Sequence, residues 1–145
     1  MNVKDFMTAD PACCTKDTPL PDVARMMADN DCGEIPVVSS KEERRPIGVI
    51  TDRDIVIRVV ARGQNALDMR VGECMSEPCV TVNPEMSLVE CCGLMETHKI
   101  RRVPVVDENG KLCGIVALAD IADQGGKRTT SELLQKVSQP GPKTH

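Results

Sequence analysis

The chain has 145 residues, 41% of them hydrophobic and 28% charged, with a formal net charge of −4. That length suits one compact domain or two small units that share a core, and the acidic balance disfavours nucleic-acid or anionic-membrane partners, which need clustered positive charge. Phe6 is the only aromatic residue, so the stacking platforms of single-strand and carbohydrate binders have almost nothing to be built from.

In chain order, Val3-Lys4-Asp5-Phe6-Met7-Thr8 is a short polar–apolar stretch, and Ala12-Cys13-Cys14-Thr15 is a brief β-prone run. Leu20, Val23, Ala24 and Met27 stand at i, i+3, i+4 and i+7, which predicts an amphipathic helix. Pro19 and Pro21 are tolerable only in its first turn, so they place its start, and it stops near Asn30-Asp31. Two β-branched runs, 35–38 and 47–50, predict strands joined by the charged loop 40–45. A second helix opens at Asp52-Arg53-Asp54 and runs to about Ala61.

The same order then recurs. Val71-Gly72-Glu73-Cys74-Met75-Ser76 leads into Cys79-Val80-Thr81-Val82. A helix follows with Leu88, Cys91, Cys92 and Met95 at the same spacing, opened by the capping-box pair Ser87 and Glu90 and ending near His98-Lys99. Strands over 103–106 and 112–116 flank Asn109-Gly110, a strong hairpin-turn signal. A shorter helix over 118–123 is cut by Gly125-Gly126. Leu20, Ala24 and Met27 match Leu88, Cys92 and Met95, and Ile35-Pro36-Val37-Val38 matches Val103-Pro104-Val105-Val106, all at the 68-residue offset that separates Val3 from Val71. Gly48-Val49-Ile50 with Asp54 matches Gly114-Ile115-Val116 with Asp120 after a two-residue drift. Fixed-period self-similarity sets the architecture. The expectation is an α/β (α+β) fold of two β-α-β-β-α repeats, residues 1–66 and 67–126. A polar tail follows over 127–145, short helix first and then disorder.

Two segments could carry chemistry. Gly48-Val49-Ile50-Thr51-Asp52-Arg53-Asp54-Ile55 brings a hydroxyl and a carboxylate to a helix start, where unpaired N–H groups and a partial positive charge gather. A carboxylate there can accept both hydroxyls of a ribose; plain N-capping by Thr51 or Asp52 accounts for the same residues. His98-Lys99-Ile100-Arg101-Arg102 is a cationic run before a core strand, either a solvated edge or a phosphate clamp, since arginine forks match phosphate oxygens. The eight cysteines have no C-x-x-C spacing and only two histidines accompany them, so they read as small core hydrophobes of a reducing compartment. A redox or metal sensor is the weakest reading, and no metal is expected. No apolar run reaches the length of a membrane span and the N-terminus lacks an apolar signal stretch, so the expectation is a cytoplasmic protein with no membrane partner.

The doubled pattern of Met-Thr/Ser, Leu-containing helix, Ile/Val-Pro-Val-Val and Gly-h-h-Thr-x-x-Asp-h resembles a tandem pair of cystathionine-β-synthase (CBS) domains over about residues 3–123. The resemblance implies two repeats packed through their sheets as a pseudo-twofold pair, commonly dimerising, with adenosine-type ligands between repeats. Carried over residue by residue, Thr51 and Asp54 match the ribose- and phosphate-contacting positions, and Arg53 or Lys16 would assist at the phosphates. Cys14, Thr15, Lys16, Ile35 and Pro36 match the adenine-lining wall, and Arg101 and Arg102 match basic positions that relatives use for phosphates. A weaker second site has Val103, Pro104 and Asp120, because Ala117 stands where the hydroxyl should be. The implied protein is a stand-alone regulatory module, not an enzyme, with no required cofactor. Its ligand would be AMP, ADP or ATP, with NAD or S-adenosylmethionine as further options. It would act as a homodimer on an unidentified protein partner. No P-loop, G-x-G-x-x-G or nucleophile triad occurs. The alternative is a ligand-free structural or interaction module in which Thr51 and Asp54 only cap a helix.

Overall fold

A computed structural model describes residues 1–124; the expected tail over 127–145 and the Gly125-Gly126 stop lie outside the described residues. The elements in order are β1 (Thr8–Ala9), α1 (Leu20–Asn30), β2 (Glu34–Val38), β3 (Pro46–Thr51), α2 (Asp52–Ile55), α3 (Leu88–His98), β4 (Arg102–Val106), β5 (Leu112–Ala117) and α4 (Leu118–Gln124). α2 continues as a π-helical stretch through Val56–Val60, so the helical run ends where the sequence places it. Single 3-10 turns at Val3–Asp5, Ala66–Asp68 and Val71–Glu73 were not foreseen. The fold is mixed α/β, with small sheets and helices as expected.

The chain forms two compact units. Unit 2 comprises Ala12–Val80 with Gly110–Leu112; unit 1 comprises Met1–Pro11, Thr81–Asn109 and, among the described residues, those from Cys113 to Gln124. These units cut the chain elsewhere than the sequence repeats do. Each contains the body of one repeat and the leading segment of the other. In unit 2, Leu20 N donates to Met69 O (2.9 Å), Val71 N to Thr18 O (3.0 Å) and Gly72 N to Lys16 O (2.9 Å). In unit 1 the equivalent bonds recur: Leu88 N to Met1 O (3.0 Å), Val3 N to Met86 O (2.9 Å) and Lys4 N to Pro84 O (3.0 Å).

Unit 2 is built around β2 and β3, paired antiparallel with Ile35 opposite Ile50 and Glu34 opposite Thr51. α1 lays Leu20, Val23 and Met27 on this sheet, as its periodicity predicts, whereas Ala24 of the expected stripe is exposed. Val59, Val71, Cys74 and Met75 close the same core; each large buried side chain contributes about 1.5–3 kcal/mol. Unit 1 orders its strands β1-β5-β4 and buries Leu88, Cys91, Cys92 and Met95 of α3 beside Val103, Val105, Ile115 and Val116.

The two β-prone runs, 12–15 and 79–82, do not become strands. Cys14 and Val82 each make one parallel bridge, to Val37 and Val105 respectively. Cys14 N donates to Pro36 O and Val38 N to Cys14 O; Val82 N donates to Pro104 O and Val106 N to Val82 O. Proline cannot donate into a ladder, and both runs are bracketed by it, at Pro11 and Pro19 and at Pro78 and Pro84. Two glycines mark where backbones meet closely. A Cβ on Gly48 would collide with Ser76 O and Met75 Cε, and one on Gly114 would collide with Met7 Sδ and crowd Thr8 O.

Candidate functional site

The end of β3 turns directly into α2 at Thr51, whose extended backbone (φ −118°, ψ 160°) makes it the N-cap. Thr51 Oγ1 accepts from Asp54 N at 3.0 Å, and Asp54 Oδ2 accepts from Thr51 N at 3.0 Å, a closed capping box. Asp54 is only 7% exposed. A buried carboxylate needs partners, and its Oδ1 has two. Ser76 Oγ donates to it at 3.0 Å, and Arg58 Nε, one helical turn on, lies 3.7 Å away. Arg58 Nη1 also donates to Met75 O (2.7 Å) and Cys74 O (3.3 Å). The carboxylate is therefore held on one side by α2 and on the other by the leading segment of the second repeat.

The remaining expected residues of unit 2 fall into three places. Cys14 and Pro36 are together: Cys14 N and Sγ both point to Pro36 O, at 3.0 and 3.7 Å. Cys14 and Thr15 also line a cavity of about 340 Å³ with Cys13, Thr18, Asp22 and Lys41, and Thr15 N donates to Thr18 Oγ1 at 3.0 Å. Ile35 is a core residue at 1% exposure, and Pro36 is buried opposite Val49. Lys16 Nζ pairs with Glu77 at 3.3 Å, next in sequence to the Ser76 that binds Asp54. Lys16 and Asp54 thus attach to adjacent residues of one segment. Arg53 is exposed, its backbone N donating to Asp52 Oδ1 at 2.8 Å. A second cavity, about 410 Å³, is lined by Met27, Ala28, Asp31, Cys32, Gly33 and Asp52. Neither cavity is lined by Thr51, Asp54, Ile35 or Pro36.

Unit 1 holds the rest. Arg101 is exposed, and its carbonyl accepts from Leu118 N at 2.8 Å. Arg102 is half-buried at the start of β4, with a buried Nε that has no hydrogen-bond partner. Val103 and Pro104 are buried, and Asp120 is half-buried on α4. Ala117 offers no hydroxyl, so the capping box of Thr51 and Asp54 has no counterpart here.

Ser76 and Arg58 are the site neighbours that sequence reasoning missed. Arg58 was findable, because Asp54 and Arg58 have the i, i+4 spacing of a helical ion pair. Ser76 was singled out only as part of the repeated Met-Ser/Thr signature. Among the described residues, no three His, Cys, Asp or Glu side chains are grouped to hold a metal, and all eight cysteines are free thiols. Burial pushes the Cys14 thiol up to about 12. Burial, then the charge of Glu34, pushes Cys79 up to about 12, and burial pushes Cys91 up to about 11. Such thiols are poor nucleophiles at neutral pH.

A family model described as the CBS domain matches residues 3–61 and 71–125. The CBS domain-containing protein YhcV of Bacillus subtilis is 39% identical over 138 residues, 94% of this chain and 95% of that protein. An uncharacterized protein of Methanopyrus kandleri is 43% identical over 100 residues, 69% of this chain but only half of that protein's length. Among solved structures, Hypoxic Response Protein I with two coordinated zinc ions superposes with a TM-score of 0.77 at 34% identity, covering 87% of this chain and all of that one. CBSX2 in complex with AMP gives 0.73 at 23% identity, over 88% of this chain and 98% of that one. The CBS domain pair of protein MJ0100, in complex with 5′-methylthioadenosine and S-adenosyl-L-methionine, gives 0.75 at 24% identity, over 87% of this chain and all of that one.

Proposed function

The chain belongs to the CBS-domain family, and on that footing we propose that it is a regulatory module, not an enzyme, that binds an adenosyl ligand and signals to a protein partner in the cytoplasm. The ligand class is that of AMP, ADP, ATP or S-adenosylmethionine. Thr51 and Asp54 of unit 2 are its ribose and phosphate contacts, with Arg53, Lys16 and the Cys14–Pro36 wall beside them. Arg101 and Arg102, the basic residues that the resemblance assigns to phosphates, belong to unit 1. The observation that carries the reading is the paired Thr51 and Asp54 at the end of β3, set against Ala117 at the equivalent place in the second repeat. The neighbours solved with AMP and with S-adenosyl-L-methionine support the ligand class. Eight free cysteines suit a reducing compartment.

One observation favours a ligand-free interaction module instead: both oxygens of Asp54 already have protein partners. A thermal-shift screen with AMP, ATP and S-adenosylmethionine separates the two readings. A ligand at about 100 times its dissociation constant stabilises by about 2.7 kcal/mol, which is about 5–10 °C for a chain of this size. A shift of that order with an adenosyl compound is the expected result. No shift with any of them would favour the interaction module.

A further inference from the structure

The leading segment of the second repeat is fastened to unit 2 at both ends of its length. Leu20 N donates to Met69 O, and Gly72 N to Lys16 O. Further on, Ser76 exchanges both backbone bonds with Val49, Ser76 N to Val49 O at 2.8 Å and Val49 N to Ser76 O at 3.0 Å. Its side chain then reaches Asp54 Oδ1 at 3.0 Å, while Arg58 bridges Asp54 to the Cys74 and Met75 carbonyls. The equivalent residue in unit 1, Thr8, has the same kind of strand register, opposite Ile115, but its side chain is exposed.

We infer that Ser76 and Arg58 are positioning residues for Asp54, and that through them residues 69–77 act as the read-out element of this site. Asp54 is 7% exposed and its Oδ1 is held by Ser76 and Arg58, so a ligand hydroxyl that takes Oδ1 competes with the two groups that fasten the segment. Occupancy of the carboxylate and attachment of the segment are then linked, and linkage acts equally in both directions. Loosening the segment favours the ligand, and the ligand loosens the segment. Because residues 69–77 open the second repeat in sequence, a change at Asp54 reaches the start of that repeat through this segment. The inference takes its ligand from the adenosyl reading above, but its coupling is present in the ligand-free protein.

The test is amide hydrogen exchange on the full chain, in wild type, Ser76→Ala and Ser76→Thr. Without ligand, Ser76→Ala should speed exchange at the Thr51 and Asp54 amides by about ten-fold, the worth of one hydrogen bond to a charged group. Ser76→Thr, which keeps the hydroxyl, should restore wild-type rates. A serine whose hydroxyl plays no part would show neither the loss nor the rescue. Equal rates in wild type and Ser76→Ala would overturn the inference. Saturating AMP added to wild type should speed exchange at the Ser76 amide; AMP that binds and leaves this amide as protected as before would also overturn it. If AMP does not bind, the adenosyl reading fails, and the ligand-free comparison alone decides the coupling.

Discussion

Cys14, Cys79 and Cys91 contribute stability that depends on pH in a definite direction. Each thiol sits above its ordinary value of 9.0 in the folded chain, at about 12, 12 and 11 respectively, chiefly through burial. Below pH 9 both folded and unfolded chains keep these thiols protonated, and the contribution is whole. Between pH 9 and about 12 the unfolded chain loses protons that the folded chain retains, so stability falls as pH rises, by up to about 1.4 kcal/mol per pH unit for each thiol. Urea unfolding should be flat in this respect below pH 9 and should steepen above it. Stability that rises from pH 9 to 11 would contradict the burial of these groups. At this scale the sequence was informative about some partners and silent about others. The Thr51–Asp54 segment read as plain N-capping and as a ligand motif at once, and the structure shows the cap to be a closed box. The Ser76–Asp54 bond spans 22 residues, and no local periodicity encodes such a pairing.

Among the elements, α1 ends with a correctable flaw. Its C-cap, Asp31, is held left-handed (φ 49°, ψ 51°), a conformation that favours glycine. Its carboxylate also stands at the negative end of the helix dipole. Asp31→Gly should therefore stabilise the protein by about 1 kcal/mol in chemical denaturation, and a loss of stability would show that Asp31 has a role beyond the cap. The helices were legible because proline, capping serine and a 3.6-residue stripe each mark a boundary or a face. The runs 12–15 and 79–82 were misjudged for a physical reason. Their apolar composition reports burial, whereas strand length depends on how many ladder bonds the flanking prolines leave available. Each run makes a single bridge.

For the whole molecule, the repeats were plain in the sequence but the make-up of the compact units was not. Both copies present the same partners at the same spacing, so composition cannot say which copy a leading segment packs against. The bonds of Leu20 to Met69 and of Leu88 to Met1 show that each segment joins the other repeat's body. The proposed homodimer belongs at this scale too. Val56, Ile57 and Val60 are 54%, 47% and 62% exposed on one helical stretch, an apolar surface that a second copy would cover. Light scattering should give twice the monomer mass for wild type and the monomer mass for Val60→Asp. A monomeric wild type would show that no second copy covers this surface.

Calorimetric titration of AMP into wild type and Asp54→Asn decides whether Asp54 grips an adenosyl ligand. Asparagine keeps the size of the side chain and removes its charge. Losing a charge-assisted bond to a ribose should weaken binding by about ten-fold or more. Equal affinities in the two proteins would contradict the claim and leave Asp54 as a capping residue alone.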